Sequence, residues 1–170
     1  QLNGKNKKIL TNKIGTNSAT FSTNFKYFIN QYSNANTPYY FSLFDAKGNE
    51  VRMLKDNAAL NKNLSEYALS KKEFFDFKTT KGIDLNGWIM KPHDFDETKQ
   101  YPLFMYLYGG PGSQQVTDSW GGSKFIWYQM LTQQDYIVAC VDNRGTGARG
   151  SEFKKCTYQQ LGKLETEDQI

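Results

Sequence analysis

Leu103-Phe104-Met105-Tyr106-Leu107-Tyr108, followed at once by Gly109-Gly110-Pro111-Gly112, is the stretch that decides the fold. Six consecutive apolar and aromatic residues without alternation are expected of a strand covered on both faces by helices. The glycine and proline run ends it abruptly. Downstream, residues 123–134 place Phe125, Tyr128, Met130 and Leu131 on a helical pattern. Residues 136–141 then form a second buried strand, closed by Asp142-Asn143-Arg144-Gly145. Strand, helix, strand in this order is a βαβ crossover, which predicts a parallel pairing with a right-handed connection in a mostly parallel sheet.

Upstream of this unit the pattern is β. Residues 73–79 and 83–91 flank Thr80-Lys81-Gly82 as a hairpin, and Pro92-His93-Asp94-Phe95-Asp96 is a polar loop. Residues 58–69 read as a linker helix, with Asp56-Asn57 to cap it and Leu60, Leu64 and Tyr67 at helical spacing. Before it, strands are expected at 19–22, 25–32, 39–45 and 50–54, the last two joined by Ala46-Lys47-Gly48-Asn49 with Gly48 free to take a positive φ. Four short strands carry too few apolar positions to close a sandwich, so they read as one blade of a larger β array. Residues 157–170 look helical through Tyr158, Leu161 and Ile170 and lack a stop signal, as if cut inside an element. The opening Gln1-Leu2-Asn3-Gly4-Lys5 has no initiator Met and no apolar stretch of signal or membrane-span length, which reads as the interior of a longer protein.

Composition narrows the classes. At 38% hydrophobic and 15% aromatic residues the chain is too apolar for intrinsic disorder. The net charge of +4 comes from Lys and Arg interleaved with Asp and Glu, and the basic run at 5–8 is short, so a solvated surface is expected rather than a nucleic-acid groove. Cys140 and Cys156 have neither metal-ligand spacing nor disulfide-scaffold density and read as free thiols.

Several motifs invite chemistry. Gly145-Thr146-Gly147-Ala148-Arg149-Gly150 fits G-x-G-x-x-G, but its first glycine comes three residues after Asp142 and arginines bracket it, so a conformational role suits it better than a dinucleotide site. The loop at 109–112 lacks the G-K-[ST] ending of a phosphate loop; Gly122-Ser123-Lys124 has those residues in the wrong order. It reads either as a sharp turn or as a loop aiming groups at a reacting carbonyl, as oxyanion holes of sheet hydrolases do. His93 is the sole histidine and reads as a surface-loop residue, no G-x-S-x-G is present, and Ser113 is not in a nucleophile elbow. Glu165, Glu167 and Asp168 read as a solvated acidic face. No cofactor and no metal ligand set is expected.

Taken together, Tyr101-Pro102-Leu103, Tyr108-Gly109-Gly110-Pro111-Gly112-Ser113-Gln114, Val141-Asp142-Asn143-Arg144-Gly145-Thr146-Gly147, and Leu161-Gly162-Lys163-Leu164-Glu165 with Glu167-Asp168-Gln169 resemble serine peptidases of the prolyl oligopeptidase family, dipeptidyl peptidase IV type. Leu54-Lys55-Asp56-Asn57-Ala58-Ala59-Leu60 resembles that family's junction between β-propeller and hydrolase domain. The resemblance implies a mixed fold, with the last propeller strands at 1–56, a linker helix at 57–71 and the first part of an α/β-hydrolase domain at 72–170. It also implies that Tyr108 is the oxyanion-hole hydroxyl, that Asp142 and Arg144 pin loops, and that the catalytic Ser, Asp and His lie after Ile170. By the same resemblance the full-length protein acts on peptides with Pro or Ala in the penultimate position, forms a homodimer, and is periplasmic or secreted; from the charge pattern above, no nucleic-acid partner is expected. Two other readings stay open: a different α/β hydrolase, such as an acylaminoacyl peptidase or an esterase, and a non-catalytic β-rich binding module.

Overall fold

The computed structural model describes residues 3–170; Gln1 and Leu2, the start of the opening read above, lie outside them. The chain forms two compact units: residues up to Tyr67 together with Asp118–Gly122, and Ala68–Thr117 together with Ser123–Ile170.

In the first unit, β1 (Thr16–Phe21), β2 (Tyr27–Asn34), β3 (Thr37–Asp45) and β4 (Glu50–Lys55) form an antiparallel meander in chain order. Its register places aromatic residues directly opposite one another: Phe28 faces Phe21 and Phe44, and Tyr32 faces Tyr40. The ring centroids lie 5.1, 5.2 and 6.2 Å apart. Such pairs add roughly 0.5–1.5 kcal/mol each beyond the area they bury. The β3–β4 turn is built on Asp45, whose carboxylate accepts the backbone N–H groups of Lys47 and Asn49 at 2.8 and 2.9 Å, with Gly48 at φ 90°.

Residues 118–122 complete this unit from far along the chain. The Asp118 carboxylate accepts the N–H of Ala35 at 2.8 Å, Trp120 N–H donates to Ser33 Oγ at 3.1 Å, and the Trp120 carbonyl accepts the Tyr39 hydroxyl. Nothing in the local sequence marks these five residues as belonging to the N-terminal strands, because each bond spans more than eighty positions.

Helix α1 (Ala58–Ser65) is shorter than the expected 58–69 and buries no side chain. Asn57 occupies its N-cap position at φ 53° without a capping bond, because its side-chain amide donates instead to the Tyr39 carbonyl at 2.6 Å. The Ala58 N–H is taken by Asp56. In the second unit, Ser70 exchanges two hydrogen bonds with the buried Gln129 amide, which holds the backbone extended where a longer helix would have run.

The second unit contains β5 (Lys72–Lys78), β6 (Asp84–Met90), β7 (Leu103–Met105) and β8 (Ile137–Asp142), in the order β5-β6-β8-β7. β7 and β8 run parallel across helix α2 (Ser123–Thr132), which is the expected βαβ crossover. The other two pairings are antiparallel, so the sheet is mixed over these residues rather than mostly parallel. Its core gathers Leu85, Trp88 and Met90 of β6, Phe125 and Tyr128 of α2, and Val138, Cys140 and Val141 of β8. Trp88 packs on Tyr128 with centroids 5.2 Å apart and carries the Lys72 ammonium over its ring at 4.7 Å.

Two expectations are corrected here. The apolar run at 103–108 is strand only to Met105 and lies at the sheet edge; Leu103 and Leu107 remain 56% and 48% exposed, so both faces are not covered. The C-terminal residues form α3 (Ser151–Lys155) and α4 (Lys163–Gln169) instead of one helix from 157. The break falls at Gly162, at φ 88°, whose N–H donates to the Glu165 carboxylate and starts α4 afresh.

Both cysteines are free thiols, Cys140 buried and Cys156 partly exposed. Burial first, and the Asp142 carboxylate second, push the Cys140 thiol up to about 12. At pH 8 only roughly one Cys140 in 10⁴ is therefore a thiolate. Titration of the folded protein with a thiol reagent at pH 8 is expected to label Cys156 and spare Cys140, with the second equivalent appearing only in denaturant; prompt labelling of both would contradict the packing.

Candidate functional site

The site is built where β7 and β8 end. Tyr106 N–H donates to the Ala139 carbonyl at 2.8 Å, the last bond of the parallel ladder. Continued in the same parallel register, the ladder would join Val141 N–H to the Tyr106 carbonyl and then Tyr108 N–H to the Val141 carbonyl, and neither bond forms. That carbonyl instead accepts the side-chain amide of Gln169 at 3.0 Å. The chain leaves the sheet, Gly109 takes φ 74°, and Tyr108 stands 63% exposed, with no hydrogen bond to its hydroxyl among the described residues. A Cβ at Gly110 would lie 2.9 Å from the Tyr108 ring, so glycine lets the ring lean over the loop.

The loop after Tyr108 is held by the loop after β8. Gly112 N–H donates to the Gly145 carbonyl at 3.1 Å and Gly147 N–H to the Ser113 carbonyl at 2.7 Å. The Gly145 N–H is taken by Phe153, and a Cβ there would meet Thr157 at 2.9 Å. Thr146 N–H bonds the Asn143 carbonyl. The N–H groups of Gly145, Thr146 and Gly147, the first half of the G-x-G-x-x-G run, are thus spent inside the protein, and its first glycine answers to close packing.

Asp142 and Arg144 pin loops through charge-assisted bonds. Asp142, 5% exposed, accepts the N–H groups of Gln115 and Val116, both at 2.9 Å. Arg144 reaches Asp168 in a two-pronged pair, Nε to Oδ1 at 2.9 Å and Nη2 to Oδ1 at 2.7 Å, while its own N–H donates to Oδ2. The expected solvated acidic face is therefore wrong at Asp168, whose side chain is 1% exposed and charge-paired. Its neighbour Glu167 bridges Lys81 at 2.8 Å and Arg144 at 3.2 Å, and Lys81 first, then Arg144, hold its carboxyl below the usual carboxylate range. The spacing of Glu165, Glu167 and Asp168 around one turn hid this, because the partner is 24 residues away.

Two residues of the site were given no role from sequence. Asn143 is fully buried; its amide donates to the carbonyls of Gly109 at 3.1 Å and Arg144 at 2.7 Å, and its oxygen accepts from Gln169 at 3.1 Å. Both lie inside the runs that carry the family likeness, Asp142-Asn143-Arg144 and Glu167-Asp168-Gln169. That was the only signal available. His93 is exposed in the loop after β6, and among the described residues no hydrogen bond or ion pair brings it to Tyr108; Ser113 Oγ donates to the Gly110 carbonyl as a loop brace.

Asp168→Ala leaves the Arg144 guanidinium with only the more exposed Glu167 and strips the Arg144 N–H of its acceptor, so it is expected to lower unfolding free energy by about 1–3 kcal/mol, read from the denaturant midpoint. The Glu167 bridges are fully present above the ordinary carboxylate range and are lost as pH falls through its lowered value. Acid titration is therefore expected to loosen α4 in the native protein only once pH falls below the ordinary carboxylate range, and Glu167→Gln to remove that component; identical acid profiles would sink the assignment.

A model of the prolyl oligopeptidase family matches residues 124–170. The chain is 38% identical over 154 residues to a probable dipeptidyl peptidase 4 of Emericella nidulans, covering 90% of this chain and 20% of that protein. It is 36% identical to a dipeptidyl peptidase 4 of Trichophyton equinum, with the same coverage. The crystal structure of Porphyromonas gingivalis dipeptidyl peptidase 4 superposes with a TM-score of 0.89 at 50% identity, over 94% of this chain and 22% of that one. The chain thus spans about a fifth of the length of the curated relatives it matches. Propeller strands followed by the opening of an α/β hydrolase are the architecture of these neighbours, as expected from sequence. By its sequence likeness, its fold and its motifs alike, the chain belongs to the prolyl oligopeptidase family, as a segment of the dipeptidyl peptidase IV type.

Proposed function

We propose that the full-length protein is a serine exopeptidase releasing N-terminal dipeptides with Pro or Ala in the penultimate position, and that Tyr108 supplies an oxyanion-hole hydroxyl. The observation that carries this is Tyr108 itself: an exposed phenol whose hydroxyl bonds nothing among the described residues, on a loop braced from behind by Asn143, Gly145 and Gly147. A donor fixed before the reaction stabilises the charge that develops on the substrate oxygen without reorganising at the moment of attack.

The chemistry is acyl transfer. A serine Oγ attacks the carbonyl carbon while a histidine takes its proton, and Tyr108 donates to the resulting oxyanion. Collapse expels the shortened peptide's amine, protonated by the histidine, and water then releases the dipeptide from the acyl-enzyme. The serine, aspartate and histidine are assigned to residues outside this sequence, because it holds no G-x-S-x-G and its sole histidine is His93. Within the same reading, 1–56 are the last propeller strands, 57–71 the linker helix and 72–170 the first part of the hydrolase domain. The relatives' names support peptide substrates, a homodimer and a secreted or periplasmic location are carried by the family likeness, and no helix among the described residues is long and apolar enough to cross a membrane.

In the full-length protein, Tyr108→Phe is expected to lower kcat on a Gly-Pro amide by roughly 10²- to 10³-fold with the thermal midpoint unchanged. An unaltered kcat would remove Tyr108 from the mechanism. The 170-residue chain alone is expected to hydrolyse no Gly-Pro amide, and turnover by purified chain would show that the nucleophile had been misplaced.

A further inference from the structure

Two side-chain amides stand where the sheet would otherwise continue. Gln169 Nε2 occupies the Val141 carbonyl that would pair with Tyr108 N–H, and the same nitrogen donates to Asn143 Oδ1. Asn143 Nδ2 in turn holds the carbonyl of Gly109, the residue after Tyr108. Gln169 keeps this place although its Oε1 is buried with no partner among the described residues, so the donor end alone holds the side chain against desolvation of the acceptor. The Arg144–Asp168 pair, one residue from each amide along the chain, anchors α4 to the end of β8.

Resting on the assignment of Tyr108 above, we infer that Asn143 and Gln169 are positioning residues for its hydroxyl. Gln169 fills the Val141 carbonyl just past the end of the β7–β8 ladder, and Asn143 fixes the Gly109 turn, so that the backbone carrying Tyr108 leaves the sheet along one path. Neither touches the substrate. Their effect runs through the placement of one donor, and oxyanion donors act only when aimed at the position the charge will occupy.

The test is a double-mutant cycle in the full-length protein with a Gly-Pro amide as substrate. Asn143→Asp keeps the size of the side chain and the acceptor for Gln169, but turns the donor facing Gly109 into an oxygen that repels its carbonyl. It is expected to lower kcat by about 10- to 100-fold with KM within about 2-fold, and to cost less than about 3-fold when Tyr108 is already Phe. An equal loss in both backgrounds, or no loss in the first, overturns the positioning role. If Tyr108→Phe alone leaves kcat unchanged, the oxyanion assignment fails and this inference with it, a different outcome from additive losses. Should Asn143→Asp not fold, Gln169→Met goes through the same cycle: coupling to Tyr108 supports the inference and additivity overturns it.

Discussion

The arrangement at the end of the second sheet depends on what the Val141 carbonyl bonds to. In a parallel ladder its partner would be the Tyr108 N–H, and the phenol would then lie along an ordinary edge strand. The strand stops at Met105 with one further bond from Tyr106, and the Gln169 amide takes that carbonyl. An unpaired buried carbonyl costs about 1–3 kcal/mol, and the Gln169 amide offsets that cost where the strand has left the sheet.

Under the proposed role of Tyr108, this arrangement would meet two opposed demands. A group that meets a substrate must be exposed, while a group that stabilises developing charge must already be in place. Exposure comes from leaving the sheet, and fixity comes from bonds to the backbone on either side of the loop: Tyr106 to Ala139 before it, Gly109 to Asn143, Gly112 to Gly145 and Ser113 to Gly147 after it. The charged pair of Arg144 with Asp168 keeps α4 against β8, and Asp142 ties down the chain at Gln115 and Val116. The Asp142 and Asp168 carboxylates both accept backbone N–H groups, and the Arg144 guanidinium pairs with Asp168.

The first unit follows simpler physics. Its cross-strand aromatic stacks set the register, since a slip of one residue would carry Phe28 and Tyr32 to the opposite face. Asp118 and Trp120 satisfy backbone and side-chain groups around the β2–β3 turn that the strands leave open. Polar groups in such a place need partners wherever in the chain those partners lie.

Local patterns made much of this legible before any coordinates. The strands of the meander, the β5–β6 hairpin, the βαβ crossover and the residue that ends the Leu103–Tyr108 run all follow from periodicity and turn residues, because those properties act over a few neighbouring positions. The family likeness singled out Tyr108. Tertiary structure alone decided that the apolar run would pair for only three residues, that Asp168 would be buried rather than solvated, that residues 118–122 would complete the first unit, and that Asn143 and Gln169 would meet behind Tyr108. Each of those outcomes is a hydrogen bond or ion pair between residues at least two dozen positions apart, and sequence spacing holds no information about which distant donor will reach a given carbonyl.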